Sequence, residues 1–318
     1  MSRILKINNS YVRYNTDNEI IQDYYMYILN IIKDFLEQNP DLNLNINIDR
    51  LNTNYTEFKF NNTNKIINII IDYEHSLVIS GGRGLSNDCK KGVIEIENTK
   101  DFYLVRINLD HTNYDIVINY SMPNIINITN SGLYPELSDK LVHVSPSLYK
   151  RVDNKEEKSI DILTSFINIH EPRRKKLLDH LSKTNYNHKN LTNCFDYNLL
   201  QHEYLKTKIM INIRQTDHHH TIEELRILPA LQNKILVVCE RGPLYEHLSY
   251  YRHIIFVEYH EILDKIKDIL DNYQEYYDKY VNSFDPDNYI NFYNYNYKNL
   301  STKILSASNN LSNNIKNI

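Results

Sequence analysis

One stretch restricts the fold more than any other: residues 208–240, KIMINIRQTDHHHTIEELRILPALQNKILVVCE. The apolar run Ile209-Met210-Ile211-Asn212-Ile213 reads as a strand and residues 214–220 as a polar loop. Residues 221–232 read as a helix, and Ile235-Leu236-Val237-Val238-Cys239 as a second strand. Strand, loop, helix, strand is one αβ unit of a parallel sheet, which places the chain in the α/β class. In open sheets of this kind ligands bind beyond the carboxyl ends of the strands, where loops and helix N-termini meet. The polar residues of this stretch therefore crowd where a ligand would sit, Asn212, Arg214, His220, Thr221, Glu223, Arg226 and Glu240 among them.

The helix start carries its own signals. Thr221 can cap the first turn and Glu224, three residues on, can complete a capping box, while the free N–H groups of that turn favour an anion. Glu223 and Arg226 stand at i and i+3 and share a face. They read either as a surface ion pair or, beside the strand edge, as a carboxylate for a ribose diol next to N–H groups that hold a diphosphate.

With 318 residues the chain has room for two ordinary domains. Its net charge of −4 and the absence of a long basic run give nucleic-acid binding no electrostatic support. Cys89, Cys194 and Cys239 are widely spaced and read as reduced thiols. The N-terminus has no apolar stretch of signal length, and no run reaches the roughly 18 apolar residues of a membrane span. The expectation is a soluble cytoplasmic chain, in the host cytoplasm or virion if viral. An excess of Asn, Ile and Lys, with 27 Tyr but 6 Gly and no Trp, suits a strongly AT-rich genome such as that of a giant virus or protist.

Toward the N-terminus, residues 18–38 carry apolar side chains at helical spacing, closed by Asn39-Pro40, and 42–51 and 65–71 read as strands. Half of the six glycines fall in Gly81-Gly82-Arg83-Gly84, just after Asp72-Tyr73-Glu74-His75. This segment lacks the GxGxxG and Walker spacings and is either a hairpin turn or an active-site loop. As a loop it would offer Glu74 or His75 as general base for an acceptor hydroxyl, with Arg83 facing phosphate. Strands are expected at 102–108, 114–120 and 141–146, with a short helix opening at Pro123 and closing before Gly132.

The charged segment 152–158 reads as a linker between an N-terminal domain, 1–151, and a C-terminal domain, 159–284. After a strand at 160–169, Pro172 opens a helix to about Lys183. Arg173 and Arg174 in its first turn oppose the helix dipole, so they form either a solvated face or a contact to a phosphate-bearing ligand. The loop Thr216-Asp217-His218-His219-His220 has metal-capable side chains, but adjacent histidines rarely converge on one ion. Helices are expected at 197–207, 244–250, 261–272 and 274–282, with a strand at 253–258. Residues 285–318, rich in Tyr, Asn and Ser, read as a partly mobile tail with one short helix at 300–307.

The run I-N-I-R, a His-rich loop, I-E-E-L-R-I-L-P-A-L and N-K-I-L-V-V-C-E resembles the C-terminal domain of GT-B-fold glycosyltransferases, particularly the capsular-polysaccharide and giant-virus group. D-I-V-I-N-Y-S-x-P-N-I resembles the segment that closes the N-terminal domain there. The resemblance implies two Rossmann-like domains facing a cleft, a nucleotide-sugar donor and a glycan or other hydroxyl acceptor. It places Glu223 at the nucleotide ribose and Glu240 near the sugar or phosphates. Arg173 and Arg174 become diphosphate contacts, and Tyr120, Ser121 and Asn124 line the cleft on the acceptor side. Such enzymes need no bound metal and no cofactor beyond the nucleotide sugar.

Two departures stand out. Asn168-Ile169-His170 replaces a usual glycine turn, and the E-x7-E spacing of many retaining members is absent because position 215 is Gln215. The expected activity is glycosyl transfer. The alternatives are a non-catalytic nucleotide-sugar or partner-binding module of the same fold, and another Rossmann-like enzyme such as a sugar epimerase. The lack of GxGxxG argues against a nicotinamide cofactor.

Overall fold

A computed structural model describes residues 2–15, 21–50, 59–60, 62, 64–73, 77–79, 89–96, 99–106, 113–132, 134–150, 157–192, 194, 196–215, 221–284 and 287–315. The chain is mixed α/β and divides into two compact units. The first comprises Met1–Val78, Gly84–Ser145 and Phe292–Ile318, and the second is chiefly Pro146–Asn291.

In the first unit a hairpin of β1 (Ser2–Ile7) and β2 (Ser10–Asn15) leads into α1 (Gln22–Gln38), then β3 (Leu44–Arg50) and β4 (Lys65–Asp72). A three-stranded sheet follows, made of β5 (Leu77–Ile79), β6 (Cys89–Ile96) and β7 (Thr99–Arg106). The chain then gives β8 (Ile116–Asn119), α2 (Met122–Ser131), α3 (Pro135–Ser138) and β9 (Leu141–His143). The main sheet runs β1-β2-β3-β4-β8-β9, parallel from β2 onward.

Periodicity explains these elements. α1 buries Tyr24, Tyr25, Ile28, Ile31, Ile32 and Phe35, an i, i+3, i+4 stripe. The run in β4 buries Ile67, Ile69, Ile70 and Ile71, as a strand covered on both faces does. α2 stops where Gly132 takes φ +63°, a left-handed cap that costs glycine nothing.

The second unit contains β10 (Ile160–Thr164), α4 (Pro172–Leu181), β11 (His188–Asn190), α5 (Tyr197–Leu205), β12 (Thr207–Asn212), α6 (Glu224–Gln232), β13 (Leu236–Glu240) and β14 (Ile255–Val257). These are followed by α7 (Ile262–Asp271), α8 (Tyr273–Tyr276) and a π-helix, Tyr277–Asn282. Its sheet is wholly parallel in the order β11-β10-β12-β13-β14. Ile162, Ile209, Ile211, Leu236 and Val238 from the strands, with Leu177 and Leu181 of α4 and Ile262, Ile266 and Ile269 of α7, form its core.

The strand expected at 102–108 is found as β7 and is paired antiparallel with β6, which was not expected, in register from Cys89↔Arg106 to Ile96↔Thr99. Other expectations are corrected. The helix expected at 244–250 is two short 3₁₀ turns, Tyr245–His247 and Tyr251–His253. The expected tail is instead a 28-residue helix, α9 (Asn288–Ile315). From Phe292 onward it belongs to the first unit, where Leu300 and Ile304 are fully buried and Asn296 bonds both backbone groups of Ser145. These contacts, rather than helix propensity, hold it.

Candidate functional site

The strand order of the second unit locates the site. β10 has β11 on one side and β12 on the other, so the crossover through α4 steps one way and the crossover through α5 steps back past β10. Crossovers that part in opposite directions leave a crevice at the carboxyl ends of β10 and β12. Arg173 and Arg174 enter it from the first turn of α4, Asn212 and Arg214 from the end of β12. Glu240 is the last residue of β13, and Thr221 and Glu223 lead into α6.

Glu240 is the hub. Its side chain is 1% exposed and its carboxylate accepts five hydrogen bonds. Arg173 donates Nη2 to Oε1 at 2.5 Å and Nη1 to Oε2 at 3.1 Å. Arg214 donates Nε and Nη2 to Oε1 at 2.9 and 2.7 Å, and its backbone N–H to Oε2 at 2.9 Å. Burial alone pushes the Glu240 carboxyl up, but the hydrogen bonds from Arg173 and Arg214 outweigh it and hold the group below the usual carboxylate range. Arg173 is further fixed by stacking on Tyr259, 4.3 Å from the ring centroid, and its carbonyl accepts from the Tyr259 hydroxyl at 2.8 Å. The carboxylate expected near sugar or phosphates is thus occupied with aligning two guanidinium groups.

Arg174 is different. It is 5% exposed, lies 5.1 Å over the Phe166 ring, and has no hydrogen-bond acceptor among the described residues; its Nε is buried without a partner. Burial, with Arg226 nearby, pushes its guanidinium down to about 10, against the opposing pull of Glu223 and Glu171. Arg226 pairs with Glu223 at 3.3 Å, yet its Nη1 is also buried and has no partner among the described residues. A desolvated cation short of acceptors is expensive to fold, and an anion arriving in the crevice relieves that cost.

The helix start departs from the expected capping box. α6 begins at Glu224, with Glu223 at the cap position and no capping bond from its side chain. Glu224 is buried and accepts from the Tyr250 hydroxyl at 2.9 Å, and Thr221 is buried too. Asn212 donates Nδ2 to Cys239 Sγ at 3.4 Å, while its Oδ1 is buried without a partner among the described residues. Burial pushes the Cys239 thiol up to about 12, so it is inert.

Tyr120, Ser121 and Asn124 sit in the first unit, at the end of β8 and the start of α2, with no exposed surface. Tyr120 packs edge-on against Tyr24, and its carbonyl accepts from His143 Nε2 at 3.1 Å. The Ser121 N–H donates to Asn119 Oδ1 at 2.8 Å. Glu74, His75, Arg83 and His220 lie outside the described residues. Among the described residues no cluster of His, Cys, Asp or Glu is placed to hold a metal ion, and no helix is long and apolar enough to cross a membrane.

Sequence reasoning passed over Glu171, Phe166 and Tyr259. Glu171 is buried, accepts from Asn168 Nδ2 at 3.3 Å and is a counter-charge to Arg174. An acid directly before Pro-Arg-Arg was the available signal for it. Nothing in the sequence ties Tyr259 to an arginine 86 residues earlier.

No protein-family profile matches the chain. It is similar to an uncharacterised protein of Acanthamoeba polyphaga mimivirus, 32% identical over 158 residues, which cover 48% of this chain and 52% of that protein. The chain thus spans about half the length of this curated relative. Among solved structures it is similar to a point mutant of S. aureus TarM in complex with fondaparinux, alpha-GlcNAc-glycerol and UDP. That match has 14% identity and a TM-score of 0.38, over 84% of this chain and 55% of that one. A glycosyltransferase from Rickettsia africae ESF-5 matches at 14% identity and a TM-score of 0.40, over 93% and 82%. Both TM-scores are low, and the functional reading rests on the geometry of the site.

Proposed function

We propose that this chain is a metal-independent glycosyltransferase of the GT-B type that moves a sugar from a nucleotide-sugar donor to a hydroxyl acceptor, with no further cofactor. The observation that carries the reading is Arg174, a buried guanidinium without a hydrogen-bond acceptor among the described residues, at the switch point of a doubly wound sheet. The resemblance of residues 208–240 to nucleotide-sugar-binding domains supports it.

In transfer, the bond from the anomeric carbon to the phosphate oxygen breaks and its electron pair leaves with the diphosphate. The acceptor oxygen bonds the same carbon and releases its proton. Arg174 meets the charge that develops on the leaving diphosphate, together with the positive end of the α6 dipole. Arg173 and Arg214 present the guanidinium edges that Glu240 leaves unused, and Glu223 accepts from the ribose hydroxyls. Glu74 or His75 takes the acceptor proton, with Arg83 on the acceptor side, a glycan being the expected acceptor; Tyr120, Ser121 and Asn124, which have no exposed surface, do not touch it.

Calorimetric titration with UDP, GDP and ADP, and with their monophosphates, tests this. One diphosphate is expected to bind, and Arg174→Met to weaken it by about tenfold or more, the worth of a hydrogen bond to a charged group. A folded protein that binds no nucleotide would sink the reading. Binding with neither donor hydrolysis nor transfer would assign a non-catalytic module instead.

A further inference from the structure

The crevice has a floor as well as a rim. β10 and β12 run in register with Ile162 opposite Ile209 and Leu163 opposite Met210. Continuing that register past the end of β10 brings Ser165 level with Asn212, the last residue of β12, and Asn212 stands opposite Cys239 of β13. Ile162, Phe166, Ile209, Ile211 and Val238 face the core shared with α4 and α7, so alternation turns Ser165, Asn212 and Cys239 to the other face, where α6 begins. Glu223 joins floor to rim, since its charge acts on both the Cys239 thiol and the Arg174 guanidinium.

Two of the floor's polar atoms are unspent. Asn212 is 4% exposed. The single thiol hydrogen of Cys239 goes to the Glu240 carbonyl at 3.4 Å, so its sulfur accepts from Asn212 Nδ2, also at 3.4 Å. That fixes the amide with Oδ1 as the atom left over, buried and without a partner among the described residues. Ser165 Oγ is buried in the same condition. The unspent atoms of the rim, Arg174 Nε and Arg226 Nη1, only donate; Asn212 Oδ1 only accepts, and a serine hydroxyl does either. A phosphate group, which offers acceptors, satisfies the arginines but not Asn212. The ligand that meets all four atoms carries a hydrogen-bond donor beside its anion. An ammonium would set a third cation next to Arg174 and Arg226, which leaves a neutral donor.

We propose that Asn212 and Ser165 hold a sugar hydroxyl of the ligand, so that the crevice selects a sugar-bearing phosphate over a bare polyphosphate. This rests on the reading of the crevice as a nucleotide-sugar site. One hydroxyl can donate to Asn212 Oδ1 and accept from Ser165 Oγ at once. A site built to bond a substrate hydroxyl rejects the analogue that lacks it, because its own buried groups are then left unmet. Ribose and the transferred sugar both carry such hydroxyls, and the experiment separates them.

Calorimetric titration of the full chain with pyrophosphate, with UDP, GDP and ADP, with their 2′,3′-dideoxy forms and with their glucose esters tests the proposal. Asn212→Ala weakens the sugar-bearing ligand by about tenfold, the worth of a buried hydrogen bond, and does not weaken pyrophosphate. Ser165→Ala, which removes one oxygen atom from a half-buried side chain, gives a loss in the same direction and decides the matter if Asn212→Ala does not fold. A loss on a diphosphate that vanishes in its dideoxy form assigns the ribose; a loss confined to the glucose ester assigns the transferred sugar. A loss that pyrophosphate shares equally, a loss that the dideoxy form retains in full, or no loss in either variant overturns the proposal. Nucleotide binding that still depends on Arg174 would then leave the nucleotide-sugar reading standing, whereas a folded protein that binds no nucleotide overturns both.

Discussion

Arg174 and Glu240 carry opposite signs in the stability of the site. Arg174 is buried without an acceptor among the described residues, so Arg174→Met should raise unfolding stability in urea by about 1–3 kcal/mol, the cost of an unsatisfied buried polar group, while it weakens nucleotide binding. Gain of stability with loss of binding is what a functional strain predicts and a structural role does not. Glu240→Gln should lower stability by about 3–5 kcal/mol, because it strands two guanidinium groups around a neutral amide. The Glu240 carboxyl is held below its usual range in the fold. Its contribution is therefore complete above the ordinary carboxylate pKa and is lost as pH falls through the lower folded value, a loss the Gln variant should lack. The sequence showed that Arg173, Arg174, Arg214 and Glu240 gather at one sheet edge, since strand ends and helix starts follow from periodicity. It could not show that Glu240 consumes two of the arginines and leaves the third, because that depends on which side chains lose water together.

At the scale of elements, α9 shows what composition hides. Tyrosine and asparagine are indifferent helix formers, and the apolar positions Leu300 and Ile304 alone do not announce 28 residues of helix. What holds the element is specific: Asn296 Oδ1 accepts from the Ser145 N–H at 2.9 Å, and its Nδ2 donates to the Ser145 carbonyl at 2.8 Å and to the Tyr27 hydroxyl at 2.9 Å. Tyr293 bonds Asp34, and Tyr297 bonds Gln38 at 2.8 Å. Asn296→Ala should cost about 1–3 kcal/mol by leaving both Ser145 backbone groups unmet, whereas Asn294→Ala on the exposed face should stay within about 0.5 kcal/mol; thermal unfolding of the two variants decides it. α1, β4 and the unit from β12 to β13 were legible because their apolar residues repeat at 3.6 or run unbroken. The β6–β7 hairpin and the π-helix were not, since register and helix type turn on long-range pairing.

Across the whole molecule, two partly buried bases set how stability follows pH. In the first unit burial pushes the His143 imidazole down to about 4, so the fold is weakened as pH falls from the ordinary histidine range toward that value. In the second, burial pushes the Lys158 ammonium down to about 8, with Nζ bonded to the carbonyls of Thr207 and Lys234 at 2.7 and 2.6 Å. The unfolded chain then binds more protons than the fold above pH of about 8, and stability rises from there toward the ordinary lysine pKa. Denaturation midpoints measured across pH should lose the acid slope in His143→Gln and the alkaline rise in Lys158→Met. The strand order has a last consequence, in time rather than space. β12 must return past β10 after β11 is laid down, and Glu240 follows Arg214 by 26 residues. On the ribosome the arginines therefore emerge before their counter-ion. They are gathered into a site only when β13 closes beside β12, which makes this crevice one of the later parts of the second unit to acquire its final shape.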